Sequence, residues 1–425
     1  MENKNRRKFI KSLTAGVAGL AVLPAFGASL ENPLADINNS FLNTIDDGSE
    51  AFWERVKKQH HFATNVRYFN NASLGSSSIP IRTATKNFRN TLDDFPSKYM
   101  WGGWGKEKEQ TRKGVADFLS VDKEEIALIH NTTEGMNLIA RSFDLQADDE
   151  IIIADHDHAS ATIPWEHWQE TKGIKIMRPK LPITPKTVDE VVAVYKKAIT
   201  SKTKIISMCH IINTTGMILP IKEVSKIAHE RGILVAVDGA QAAGMFAINL
   251  HDLGCDFYAA SSHKWLFSPK GVGVFYAKQA SQHHLKPLMV ARGHNDTSIR
   301  RLENYNTRNL PEVLGLGASI QYLNSIGREK INNRTFELKA YFRSKLENNP
   351  KFKLKTPASD KLSGAIQVVE VVGKNVRNVK KQLFDNYGID CRPMSTFGLN
   401  ALRFSFAIYI TKKDIDELID ALKNV

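Results

Sequence analysis

The sequence predicts an α/β fold, in which a large domain with a mostly parallel seven-stranded sheet between helices precedes a smaller α+β C-terminal domain. Between about residues 120 and 280, short and almost continuous apolar runs alternate with helical stretches, which is typical of strands covered by helices on both faces. Polar residues follow the ends of these runs, where parallel sheets gather their ligand sites. The length of 425 residues and the 42% hydrophobic content suit two closely packed domains. The predicted strands cover residues 126–129, 151–154, 174–177, 204–208, 234–237, 257–260 and 272–276.

A second domain follows this sheet. Pro311 opens a long helical pattern that would bridge the two domains. Apolar runs at 365–371 and 402–408 predict further strands, and a closing helix is expected from Thr411. The pattern leaves open whether the segment just after residue 50 packs on the small domain. The assignment is residues 51–295 mainly to the large domain and residues 296–425 to the linking helix and the small domain.

The first thirty residues have the order of a bacterial signal peptide. Arg6 and Arg7 lie in a basic start, an apolar stretch covers 13–26, and small residues follow at 27–29. The paired arginines favour a twin-arginine signal, with an ordinary secretory signal or a retained anchor as alternatives. The stretch is short for a bilayer span, so no stable membrane anchor is expected. We expect a signal at 1–30, a polar linker at 31–50, and export to the periplasm or beyond through the twin-arginine machinery.

Charge and cysteine content narrow the classes of partner. The formal net charge is +13 without a dense block of lysine and arginine, which favours small anions over nucleic acid. Cys209, Cys255 and Cys391 show no metal-site spacing. Their odd number argues against a complete disulfide framework.

The most informative pair of residues is Asp238 and Lys264. The apolar run 233–237 delivers Asp238, and a second segment delivers Lys264 beside His263. Pyridoxal phosphate chemistry needs such a pair, because a lysine amine forms a Schiff base with the cofactor aldehyde and a carboxylate keeps the pyridine nitrogen protonated. The alternatives are a surface lysine and a plain Asp-Gly turn, but a turn does not explain the lysine segment downstream.

A possible phosphate site follows the first predicted strand. Residues 131–137 read Asn-Thr-Thr-Glu-Gly-Met-Asn and start a helix. Free N–H groups and the positive end of the helix dipole favour an anion there, with Thr132 and Thr133 at the contacting positions. Taken alone, the same residues indicate only a helix cap.

Asp155, His156, Asp157 and His158 follow the second predicted strand. Two imidazoles and two carboxylates so close together are also typical of a metal site. A metal-dependent hydrolase is therefore one alternative from a different class, and a non-catalytic binding protein on this fold is another.

Together these segments resemble the class V aminotransferase family of fold-type I pyridoxal phosphate enzymes, over roughly residues 65–420. That family includes isopenicillin N epimerase and cysteine desulfurases. The resemblance implies that Lys264 bonds to the cofactor and that Asp238 contacts the ring nitrogen. The other implied cofactor contacts are Thr132, Thr133, Ser261 and His263 on the phosphate, His158 stacked on the ring where it can pass protons, and Asn213 and Gln241 near the phenolic oxygen.

The resemblance also implies a homodimer with shared active sites. Asn306 and Thr307 stand where the family has a Gly-Thr pair that completes the phosphate site of the partner subunit. The glycine is missing here, so Thr307 carries this implication alone.

Arg403 matches the arginine that binds the substrate carboxylate, with Asn213 also near the substrate, so the substrate would be an amino acid or a close derivative. A structural salt bridge is the alternative role of this arginine. Desulfurases carry a nucleophilic cysteine shortly after an arginine that matches Arg392, but residues 393–400 contain none and Cys391 lies on the wrong side. Trp101 and Trp104 could line the substrate pocket or serve only packing.

The prediction is therefore an exported pyridoxal phosphate enzyme that acts at the α-carbon of an amino acid, with Lys264 as the general base. Epimerisation is the first choice, transamination the second and C–S lysis the third, because all three follow loss of the α-proton. Desulfuration is less favoured.

Overall fold

The computed structural model describes residues 48–425, so the predicted signal and nearly all of the predicted linker lie outside the described residues. The side chain of Ser49 accepts a hydrogen bond from the N–H of Phe52 (3.3 Å) and begins helix α1, Glu50–Lys58. The short strand β1, Arg67–Tyr68, follows it.

The large domain is built on a seven-stranded sheet in the order β2-β8-β7-β6-β5-β3-β4. Neighbours from β7 to β4 pair in parallel, whereas β8 is antiparallel to both β7 and β2. The predicted mostly parallel sheet is confirmed, and every predicted strand lies within two residues of its observed bounds. The strands are β2 Ile126–Ile129, β3 Glu150–Ile152, β4 Lys175–Met177, β5 Thr203–Cys209, β6 Leu234–Asp238, β7 Phe257–Ser261 and β8 Gly273–Ala277.

Both faces of this sheet are buried, which explains the continuous apolar runs. On β6, Val235 and Val237 belong to the larger hydrophobic core, while Ala236 between them belongs to a second core on the opposite face. The helices that flank the sheet and its edges are α2 Ile79–Asp94, α3 Pro96–Lys98, α4 Gly105–Leu119, α5 Thr132–Ser142, α6 Ala159–Lys172, α7 Val188–Ala198, α8 Ile221–His229 and α9 Leu250–Leu253. Short helical turns cover Tyr99–Gly103, Lys123–Glu125, Gln279–His284 and Ile299–Glu303.

Helix α10, Leu310–Ile326, carries Pro311 in its first turn as predicted and is buried along most of its length. Two glycines let it approach α2 and α4 closely. A Cβ at Gly315 would lie 2.5 Å from Thr85 Oγ1, and one at Gly317 would lie 2.5 Å from Thr111 Oγ1. Alanine at either position would therefore force the helices apart.

The small domain contains a four-stranded antiparallel sheet in the order β12-β13-β10-β9. The predicted strand at 402–408 ends earlier, at Ser405, because the chain turns shortly afterwards, where the N–H of Ile410 bonds to the Ala407 carbonyl. Strand β11 pairs in parallel with β1, so the segment after α1 is attached to the small domain. The elements are α11 Arg328–Ser344, β9 Phe352–Leu354, β10 Ile366–Val371, α12 Val376–Tyr387, β11 Ile389–Asp390, β12 Arg392–Met394, β13 Ala401–Ser405 and α13 Lys412–Lys423.

None of the helices within residues 48–425 combines the length and the apolar character needed to cross a bilayer.

Candidate active site

A cavity of about 300 Å³ lies at the carboxyl ends of β5, β6 and β7. It brings together nine of the predicted site residues, whereas Arg403 and Thr307 do not line it. A larger cavity of about 800 Å³, near α1, α12 and β1, contains none of the predicted site residues. The residues that line the smaller cavity are Ser73, Asn131, Thr132, Thr133, His158, Ser160, Cys209, Ile211, Asn213, Asp238, Ala240, Gln241, Ser261, His263 and Lys264.

Lys264 projects into this cavity from the turn after β7. Its backbone is held tightly, because a Cβ at Gly75 would lie only 2.1 Å from the Lys264 carbonyl oxygen. Burial lowers the pKa of the Lys264 amine to about 8, against the opposing effect of the Asp238 charge, and the Arg403 charge lowers it further. Roughly a tenth of the amine is therefore neutral at pH 7 and able to act as a nucleophile or a base, far more than for a lysine with its ordinary pKa.

Asp238 ends β6 and is buried. Its Oδ1 accepts the N–H of Ala240 (2.9 Å), which fixes the rotamer of the side chain. Asp238 makes no direct ion pair with Lys264 within the part of the chain that the structure describes. Its carboxylate is thus available to a cationic nitrogen placed between the two residues.

The N-terminus of α5 forms one end of the cavity. The N–H of Thr132 donates to Ser261 Oγ (3.0 Å), and the two hydroxyl oxygens are 2.9 Å apart. Nearby, His263 Nδ1 is buried without a hydrogen-bond partner among residues 48–425. Burial, with the Lys264 and Lys270 charges, lowers the pKa of His263 to about 4. A helix N-terminus, two hydroxyls and an unpaired buried nitrogen fit a phosphate group.

His158 caps α6, and its Nδ1 accepts the N–H of Ser160 (3.2 Å). Its ring is exposed on the cavity side. Partial burial lowers the pKa of His158 against the effect of Asp238, and the charges of Lys264 and Arg403 lower it further. A neutral, flat imidazole is therefore presented to the cavity, as the predicted stacking role requires.

Gln241 and Asn213 line the wall beside Lys264. The Gln241 amide is oriented by two bonds, one from Nε2 to the Ala72 carbonyl (2.7 Å) and one from Trp265 Nε1 to its Oε1 (2.9 Å). The second N–H of the Gln241 amide has no acceptor among residues 48–425 and can donate to a ligand oxygen. The Asn213 carbonyl accepts from Arg403 Nη1 (3.1 Å).

Arg403 does not itself line the cavity but contacts a residue of its wall. Its Nη2 donates to Ser73 Oγ (2.7 Å), and Ser73 does line the cavity. Burial lowers the pKa of Arg403 to about 10, with a further contribution from Arg392, so the guanidinium stays charged at neutral pH. Thr307 is exposed, and its role toward a partner subunit stays a prediction.

The metal-site alternative for the run from Asp155 to His158 is wrong, because the four side chains engage separate partners. Asp155 accepts from Leu181 N (3.2 Å), His156 pairs with Thr214 Oγ1 (2.9 Å), and Asp157 accepts from Cys209 N (2.7 Å). Across residues 48–425, only Asp122, Glu125 and His251 bring three such ligand atoms within 4.8 Å of one another, away from this run.

Of the two tryptophans, Trp104 serves packing: it is buried against Tyr99 and Phe88, with ring centroids 4.8 and 5.9 Å away. Trp101 is exposed, and neither lines the Lys264 cavity. Ser73 and Asn131 were not predicted. The sequence signal for Ser73 was the polar run Asn-Asn-Ala-Ser at 70–73 before Gly75.

Asp157 should make stability depend on pH. Burial raises the pKa of its carboxyl to about 7, and the Asp238 charge adds to the rise. Its Oδ2 is buried without a partner among the described residues. Because the unfolded pKa is about 3.9, the stability contributed by the neutral carboxyl is fully present below about pH 4 and is lost as pH rises to about 7.

Asparagine cannot ionise, so Asp157→Asn should not lose this stability. We therefore expect the unfolding free energy of the variant, relative to that of the unsubstituted protein, to increase by about 2–4 kcal/mol as the pH is raised from 4 to 8. Urea unfolding of the cofactor-free protein at both pH values measures this. If the unfolding free energies of the variant and the unsubstituted protein differ by the same amount at pH 4 and at pH 8, the account is contradicted.

A parallel sheet with a lysine, an acid and a phosphate-type helix N-terminus at its carboxyl edge defines a pyridoxal 5'-phosphate enzyme of fold type I. The chain belongs to the class V aminotransferase family, whose sequence profile matches residues 103–418. This confirms the resemblance, the cofactor and the enzyme class, and it replaces the hydrolase and binding-protein alternatives.

Particular relatives agree with the family. Isopenicillin N epimerase of Streptomyces clavuligerus is 31% identical over 389 residues, covering 88% of this chain and 98% of the relative. The fold is shared with a cysteine desulfurase of Thermococcus onnurineus NA1, with a TM-score of 0.75, 24% identity and coverage of 87% of this chain and 97% of that one. It is also shared with a C-DES variant that has glycine covalently linked to its pyridoxal phosphate cofactor, with a TM-score of 0.77, 20% identity and coverage of 86% and 98%.

Proposed function

We propose that this pyridoxal phosphate enzyme acts at the α-carbon of an amino acid or amino-acid derivative, as an epimerase of the isopenicillin N epimerase type. The observation that carries the proposal is the Lys264 amine. It has a pKa of about 8 and projects into a cavity that also holds Asp238 and the exposed ring of His158. The 31% identity to an isopenicillin N epimerase supports the choice of epimerisation.

In this proposal, each group of residues that lines the cavity would hold one part of the cofactor. Thr132, Thr133, Ser261 and His263 would hold the phosphate, His158 would cover the ring, Asp238 would face the ring nitrogen, Asn213 and Gln241 would face the phenolic oxygen, and Lys264 would provide the covalent link. When bound, pyridoxal phosphate supplies an electron sink that allows the α-proton of the substrate to leave.

Lys264 then acts as the general base, because its lowered pKa leaves neutral amine available near neutral pH. Arg403 binds the substrate carboxylate through its guanidinium, which Ser73 and the Asn213 carbonyl orient. A proton drawn from solvent and delivered to the opposite face of the α-carbon would invert the substrate, while the proton taken up by Lys264 would pass to solvent.

Desulfuration lacks a suitable thiol. Cys391 is buried, and burial raises the pKa of its thiol to about 12. Burial also raises the pKa of the Cys209 thiol well above its usual range, with the Asp157 charge adding to the rise. Neither thiol would be ionised at neutral pH, which a nucleophilic cysteine requires.

Two features beyond the single chain belong to the same proposal. The enzyme would be a homodimer in which the exposed Thr307 reaches the phosphate site of the partner subunit. It would also be exported in folded form by the twin-arginine machinery, which allows cofactor loading in the cytoplasm.

An amino-acid panel in heavy water tests the activity. We expect deuterium at the α-carbon with inverted configuration and no keto acid. Keto acid together with an aminated cofactor would instead establish transamination, and release of a β-substituent would establish a lyase. Absence of α-deuterium with every amino acid tested would contradict the proposal as a whole.

A further inference from the structure

Two arginines lie side by side at the substrate end of the site. Strands β12 and β13 are antiparallel, and Arg392 is directly opposite Arg403 in their register. Side chains of directly opposed residues leave the same face of a sheet, with Cβ atoms about 4.5–5.5 Å apart. The two guanidinium groups therefore start from neighbouring positions on one face.

Among the residues that the structure describes, no acidic side chain forms an ion pair with either arginine. Arg403 donates to the Asn213 carbonyl, to Ser73 Oγ and, at 3.4 Å, to Asn70 Oδ1, and these acceptors are all uncharged. Arg403 Nε is buried without an acceptor within residues 48–425. Arg392 is exposed, and its side chain makes no hydrogen bond or ion pair in that part of the chain.

The nearest acid in sequence is engaged elsewhere. Asp390, two residues before Arg392, accepts from Asn70 Nδ2 (3.1 Å) and forms no ion pair with either arginine among the described residues. Like charges directly opposite one another destabilise a sheet. Packing alone does not explain why both positions carry a cation, whereas an anionic ligand would relieve the repulsion.

The two arginines lie beside the Lys264 cavity. Arg403 touches Ser73, which lines the cavity. Because Arg392 leaves the same face of the sheet as Arg403, its exposed side chain starts on the side of the small domain that faces the cavity. The loop that follows Arg392 also packs near the site, because the ring centroids of Phe397 and His156 are 4.5 Å apart. The charge of Arg392 lowers the pKa values of Arg403 and His158, in agreement with this placement.

We propose that Arg392 binds a second carboxylate of the substrate, so that the enzyme prefers amino acids whose side chain carries an acid group. This rests on the proposed function, in which Arg403 holds the α-carboxylate. The two carboxylates of such a substrate would each meet one guanidinium, whereas a neutral side chain would gain no ion pair with the exposed Arg392.

The test compares isosteric amino acids that differ only in charge. Cofactor-loaded enzyme is titrated with glutamate and glutamine, and with aspartate and asparagine, each as both enantiomers. The readout is the dissociation constant from the change in visible absorbance on binding, which does not require turnover. The variants are Arg392→Gln and, as a matched control, Arg141→Gln, an exposed arginine about 14 Å along α5 from its cavity end.

We expect the unsubstituted enzyme to bind the acidic member of a pair about 10- to 100-fold more tightly than the neutral member. Arg392→Gln should bring that ratio close to one and leave the affinity for the neutral member unchanged, while Arg141→Gln keeps the ratio. Equal binding of both members by the unsubstituted enzyme would overturn the inference, as would an Arg392→Gln variant that weakens both members equally. If no amino acid changes the absorbance at all, the proposed function itself fails.

Discussion

Replacing Lys264 with alanine should abolish turnover, with a loss of at least about 10⁴-fold. The variant loses both the covalent link to the cofactor and the base that removes the α-proton. The lowered pKa of Lys264 suits both tasks, because each needs the neutral amine. The other groups that line the cavity stay in place, so the variant should still bind the cofactor non-covalently, with a visible spectrum typical of the free aldehyde.

The controls separate this role from the charge of a lysine. Lys264→Arg keeps a cation but cannot form the link, and it should be as inactive as the alanine variant. Lys270→Ala removes an exposed lysine from the same loop that does not line the cavity, and it should retain activity. An alanine variant at 264 with more than about a tenth of the original turnover would be incompatible with the proposed chemistry.

Asp238→Asn is expected to lower turnover by about 10²- to 10³-fold. Asparagine has the same shape, and its carbonyl oxygen can still accept the N–H of Ala240, so the fold should not change. What is lost is the negative charge that faces the ring nitrogen in the proposed site. Turnover, cofactor affinity and the thermal midpoint of the cofactor-free protein together measure the effect, and only the first two should fall.

The same variant has a titration signature. The Asp238 charge raises the pKa of Lys264, so removing it should lower that pKa further and increase the reactivity of the lysine toward an aldehyde reagent at pH 7 in cofactor-free protein. Asp252→Asn, at an exposed acid paired with Lys222, is the matched control. If Asp238→Asn keeps full activity, Asp238 does not have the role toward the ring nitrogen that is proposed here.

The large domain could be predicted because its sheet is buried on both faces. Residues such as Val235, Ala236 and Val237 must all be apolar, which makes each strand visible as a run. Strands β1 and β11 have only two residues each, and β12 contains Pro393, so no such run marks them.

The site was predictable where its residues follow strand ends, as Asp238 and Thr132 do. It was not predictable where distant segments meet. Ser73 reaches Arg403 across 330 residues of chain, and Asp157 turns toward Cys209, 52 residues away. The local pattern of carboxylates and imidazoles around Asp157 instead indicated a metal site, because only tertiary packing decides where those side chains point.

Borohydride reduction of the cofactor-loaded enzyme, followed by mass mapping of its peptides, tests the central claim most directly. The predicted result is one cofactor-derived mass increment, carried by the peptide that contains Lys264. An increment on a different lysine, or none on a fully loaded enzyme, would contradict the assignment of this residue.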